Sequence, residues 1–155
     1  MSNFSLEDLL RQVMQGADDT YRQQAAFDGL GFVVGKSLVT SDEGRQTCGL
    51  VPAMAKVTTL PRLRRFAASV RKAARLAEAQ TAGILCELPI SIDGEEPEAT
   101  VVLYVDQMYS GMKVYIARKT GEHLTFRDLG VAHPGVNFLP SLIPIESYGP
   151  IVAEA

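Results

Sequence analysis

The sequence predicts an α+β fold: one domain of element order α-ββ-α-ββββ, an antiparallel sheet with helices packed on one face, and an irregular Pro-rich C-terminal tail. Some segments carry apolar residues at helical spacing, and others alternate apolar and polar at a period of two. Turn signals between successive strands pair the first two as a hairpin and the last four as an antiparallel meander. At 155 residues, 46% hydrophobic and 21% charged, the chain has the length and composition of one ordinary globular core. That profile excludes intrinsic disorder, collagen-like repeats and disulfide-dense scaffolds.

The first element is a helix over about 5–27. Ser5 is its expected N-cap, Glu7 and Asp8 suit the positive end of the helix dipole, and Leu6, Leu9, Leu10, Val13, Ala17 and Tyr21 share one face. Gly16 interrupts that pattern as an expected kink or break, and Asp28-Gly29 supplies the expected stop. Phe32–Thr40 and Arg45–Val51 read as a hairpin turned at residues 41–44, with Pro52 ending the second strand. A second helix begins at Leu60-Pro61 behind Thr59, buries Leu63, Phe66, Ala67, Val70, Ala73, Ala74 and Ala77, and ends near Thr81-Ala82-Gly83.

From Ile84 the period switches to two, and residues 84–92 form a strand followed by the acidic turn 93–98. Residues 99–108 and 112–118 flank Ser110-Gly111. A two-residue turn there pairs Tyr109 with Met112 and puts Leu103 and Val105 on one face with Val114 and Ile116. Tyr104, Asp106, Lys113, Tyr115, His123 and Arg127 then share the outer face, the last two on a strand over 122–128. Residues 1–129 make the domain. Residues 130–155 form a Pro/Gly-rich tail, too apolar for disorder, that packs on the domain or on a partner.

Charge is segregated along the chain. The net −3 divides into −2 over residues 1–60, +5 over 61–80 and −6 over 81–155. The basic block is the second helix, where Arg64, Arg71 and Arg75 line one edge of the polar face and Arg65 and Lys72 line the adjacent edge. Its bland reading is a solvated face paired locally with Glu78 and the acidic turn.

Catalytic motifs are weak by comparison. Gly31-Phe32-Val33-Val34-Gly35-Lys36-Ser37 ends like a phosphate-binding loop, but three residues separate its glycines instead of four, and strand rather than helix follows. His123 and His133 lie apart with no cysteine pair, so no metal is expected. Cys86 is read on the apolar face, away from His123 and Asp106, which disfavours a nucleophilic triad. Glu87 and Asp106 on one outer face are the remaining acid–base candidate.

The reading that follows is a small cytosolic, non-enzymatic interaction protein, an adaptor, inhibitor or accessory factor. It docks an acidic protein partner or another copy through Arg64, Arg65, Arg71, Lys72 and Arg75. The alternative is nucleic-acid binding through the same helix, with Tyr104 and Tyr115 stacking bases. A further alternative is a small-ligand or enzymatic pocket around Tyr104, Asp106, Tyr115, His123 and Arg127. No catalytic residue is assigned, and no cofactor, no metal and no membrane partner are expected. The acidic rather than basic N-terminus and the absence of a long apolar stretch favour a cytoplasmic location.

Overall fold

A computed structural model of the chain describes residues 6–25, 27–36, 46–53, 56–91, 94–108, 110–131 and 141–143. The elements are α1 (Leu6–Arg22), β1 (Leu30–Lys36), β2 (Gln46–Pro52), α2 (Leu60–Ala77), β3 (Thr81–Ile90), β4 (Glu98–Gln107), β5 (Gly111–Arg118) and β6 (Arg127–Val131). The strands form one six-stranded antiparallel sheet of order β2-β1-β3-β4-β5-β6. The α+β class and the order α-ββ-α-ββββ are therefore as the sequence predicts. The expected N-cap Ser5 and the hairpin turn 41–44 lie outside the described residues.

Both helices stop earlier than expected, for the same reason. Gln24 and Glu78 adopt left-handed conformations, with φ of 58° and 49°. The next amides then reach back into the last turn, Ala25 N to Thr20 O at 3.0 Å and Ala79 N to Ala74 O at 2.9 Å. These are helix-ending motifs usually built on glycine. Because α2 closes at Ala77, β3 starts at Thr81 and takes in Gly83. Helix α1 runs unbroken through Gly16, whose missing side chain faces open space. At the start of α2, Thr59 accepts a hydrogen bond from Arg62 N at 3.3 Å, and Pro61 occupies the first turn.

The helices lie on opposite faces of the sheet, which corrects the expectation that both pack on one. Leu63, Phe66, Val70 and Ala74 of α2 cluster with Val33, Ile84, Cys86, Val102, Tyr104 and Val114. Ala17 of α1, with Leu9, Leu10 and Val13, clusters with Phe32, Val34, Leu85, Val101, Leu103 and Val105. Consecutive strand residues point to opposite faces, so the two clusters are two sides of one sheet. Strand β4 is buried at every position from Thr100 to Asp106. Such a strand reads as a continuous apolar run, and alternation carries little information about which side is which.

The register between β4 and β5 also differs from expectation. Gln107 pairs with Gly111, so Leu103 faces Tyr115 and Tyr104 faces Val114. Against a Tyr109–Met112 pairing this is an odd shift, and it transfers every β5 side chain to the other face. Strand β6 is Arg127–Val131, leaving Glu122–Phe126 as connection.

Glycines 31 and 35, the pair that mimics a phosphate loop, have a packing role. A Cβ at Gly31 would collide with the Val70 side chain, and one at Gly35 with the Ala77 carbonyl. They let α2 settle directly onto β1.

Helix α2 covers the β1–β3 side of its face, and residues Ser141–Ile143 help close the rest. Leu142 and Ile143 are 0% and 2% exposed within the α2-side core. Asp106, 4% exposed, accepts hydrogen bonds at one carboxylate oxygen from Leu142 N (2.7 Å), Ser141 Oγ (2.9 Å) and Ile143 N (3.2 Å). Arg71 Nη1 donates to Ser141 O at 3.1 Å, tying α2 to the same strap.

Two outcomes follow for stability, each read from chemical denaturation. Leu142→Ala empties a filled core position and is expected to lower unfolding free energy by about 2–5 kcal/mol. Gly16→Ala meets no neighbour and is expected to raise it by about 0.5–1 kcal/mol.

Candidate docking surface

The buried stripe of α2 fixes what its other side presents. With Leu63, Phe66, Val70, Ala74 and Ala77 against the sheet, Arg64, Arg65, Lys72 and Arg75 are exposed and Arg71 is half-buried. The cations separate into two flanks. Arg65 and Lys72 follow the side nearer β2, where Arg62 and Ser69 also lie. Arg64, Arg71 and Arg75 follow the side nearer the strap, where Arg71 holds Ser141.

Two acids of the turn that was expected to neutralise this helix, Glu95 and Glu98, are engaged by Arg118 instead. Arg118 Nη2 pairs with Glu95 at 2.8 Å and its Nη1 lies 3.6 Å from Glu98. The same guanidinium donates to Thr100 Oγ1 at 2.7 Å and Ile90 O at 3.0 Å, clamping the acidic turn to the sheet end. Glu87 accepts from Lys119 at 3.1 Å and Asp128 pairs with Lys113 at 3.2 Å. Among the described residues, Arg64, Arg65 and Lys72 join no ion pair.

The outer-face set predicted from the sequence is not assembled. Tyr104 is fully buried beneath α2, and Asp106 lies on that same side holding the strap. Tyr115 and Lys113 project to the α1 side, so the two tyrosines stand on opposite faces and form no stacking platform. The Asp128 carboxylate, with Tyr115 beside it, holds the Lys113 ammonium above its ordinary range. His123 sits on the connection after β5, where its Nδ1 lies 3.0 Å from Asp18 Oδ2 of α1. His123 and Arg127 do line one open cleft of about 740 Å³, shared with the already paired Arg118, Glu95 and Glu98.

Catalytic arrangements fare no better. Cys86 faces Val102 in the α2-side core, and burial, with Glu87 adjacent, pushes its thiol up to about 12. At neutral pH that group is a thiol, not a nucleophile. Glu87 stands opposite Val101 and Asp106 opposite Ala82, so the two carboxylates occupy different faces and make no acid–base pair. Among the described residues, no group of three His, Cys, Asp or Glu is placed to hold a metal ion. Among those residues, too, no helix is long and apolar enough to cross a membrane.

Two groupings have no signal in the sequence. One is the Asp106 strap anchor. The other is Asp18, which accepts Leu124 N at 2.7 Å and contacts His123, while Tyr21 OH donates to Gly121 O at 2.7 Å. Together these moor α1 to the β5–β6 connection. Lys56 and Arg62, which extend the basic surface toward β2, were readable as charges but not as neighbours of Arg65.

No model of a known protein family matches the chain, and neither does any curated protein or solved structure.

Thiol chemistry checks the burial. Cys48 is exposed and Cys86 buried, so a maleimide is expected to modify Cys48 in the folded protein and Cys86 only on unfolding. The α1 mooring has a pH signature. The His123 contact and then the Leu124 amide hold the Asp18 carboxyl below its ordinary range. A depressed folded pKa contributes stability that is fully present above the unfolded value, roughly 3.9, and is lost as pH falls through the folded value. The Asp18 side-chain carboxyl signal in an NMR titration is expected to have its midpoint below that unfolded value, and Asp18→Asn to remove this part of the acid dependence.

Proposed function

We propose that the protein is a non-enzymatic interaction protein, of adaptor, inhibitor or accessory type, that docks an acidic protein partner through the outer face of α2. The observation that carries this reading is the exposed set Arg64, Arg65 and Lys72, without ion pairs among the described residues, while Glu95 and Glu98 of the acidic turn are held by Arg118. A one-sign surface on a rigid helix steers an oppositely charged partner and fixes its orientation. Two free cysteines accord with a reducing, cytoplasmic setting. An acidic region of a second copy meets the same chemical description, and light scattering separates the two cases.

The nucleic-acid reading keeps the basic helix but loses its base-stacking face, because Tyr104 is buried and Tyr115 lies on the opposite side of the sheet. Binding of poly-glutamate and of duplex DNA, followed by fluorescence polarisation at increasing salt, decides between them. Poly-glutamate is expected to bind, and the triple variant Arg64→Glu, Arg65→Glu, Lys72→Glu to weaken it by roughly tenfold or more. Tight DNA binding with no retention of poly-glutamate would instead favour the nucleic-acid reading.

A further inference from the structure

We infer that the cleft between the first half of α2 and the segment leading into it seats an acidic peptide that inserts one apolar side chain among flanking carboxylates. The inference rests on the docking reading above and assigns its contact point and ligand chemistry.

The cleft encloses about 400 Å³. Pro52, Ala53 and Phe66 give it apolar surface, and Lys56, Arg62 and Arg65 surround it with cations. Phe66 is only 7% exposed and belongs to the α2-side core, so the floor is fixed. Arg62 Nη1 donates to Lys56 O at 3.3 Å, which folds that side chain against the connecting segment. The first turn of α2 contains no acidic residue, so the positive end of an 18-residue helix adds to the same field.

Charge complementarity selects the occupant. A neutral apolar segment would cover three cations without pairing them, an expensive desolvation. A bare polyanion would satisfy the cations and leave the Pro52–Ala53–Phe66 surface wet. Carboxylates on either side of a leucine-sized side chain satisfy both, in the manner of a buried anchor within a polar rim. The stripe continues along α2 through Ser69 and Lys72 to Leu76, which is 63% exposed and offers the peptide a second apolar contact.

The test uses the full chain and a fluorescein-labelled short peptide of aspartates and glutamates around one central leucine, with its alanine counterpart. The leucine peptide is expected to bind roughly tenfold more tightly than the alanine peptide, the worth of one partly buried side chain. Lys56→Glu with Arg65→Glu is expected to weaken it by roughly tenfold or more, and Arg75→Glu, on the other flank, by less than about threefold. Amide shifts are expected at Val57, Phe66 and Ser69. Equal affinity for the two peptides, or shifts confined to the Arg64–Arg75 flank, overturns the cleft assignment while leaving docking through α2 in place. Failure of both peptides and of poly-glutamate to bind overturns both.

Discussion

A carboxylate taken out of water needs donors, and Asp106 finds three of them in residues far along the chain. Ser141 Oγ and the amides of Leu142 and Ile143 converge on one of its oxygens, and the two apolar side chains that follow fill the α2-side core. The sheet is six strands wide, and among the described residues one helix lies on each face, so that helix leaves part of its face to be covered by something else. On the α2 side the strap supplies part of that cover, and Arg71 joins the strap to the helix. Removing the carboxylate would take from the buried Leu142 amide its acceptor, a greater loss than the hydrogen bond alone.

With its inner stripe committed to the sheet and one flank tied to the strap, α2 has its remaining cations facing outward. Among the described residues Arg64, Arg65 and Lys72 join no ion pair, and Arg118 gathers Glu95 and Glu98 at the far end of β4 and β5. Segregated charge in the sequence thus becomes segregated charge on the surface. The flank nearer β2 adds an apolar-lined cleft to its cations, and this combination supports partner docking over a purely solvated face.

How much of this was legible depended on the range of the interaction. The helical stripes were legible, since Leu63, Phe66, Val70 and Ala74 repeat on one face and that face alone is buried. The basic flanks followed directly from the same periodicity. The helix ends were hidden, because Gln24 and Glu78 take left-handed conformations for which glycine is the usual sign. The faces of β4 and β5 were hidden for a deeper reason. When Val101 through Val105 are all buried, alternation cannot say which side is inside, and one misjudged turn at Ser110-Gly111 reverses Tyr115 relative to Tyr104. The partnership of Asp106 with Ser141–Ile143 joins residues more than thirty positions apart, and no local pattern announces it.

The most direct measurement of this arrangement is amide hydrogen exchange at Leu142 and Ile143. Both amides donate to a buried carboxylate, at 2.7 and 3.2 Å, and both side chains lie in the core. They are expected to exchange as slowly as the amides of central strand β4, which report on opening of the whole sheet. Exchange at the rate of an unstructured chain would contradict the account, since the strap would then not close the α2 face and the surroundings of α2 would have to be described anew.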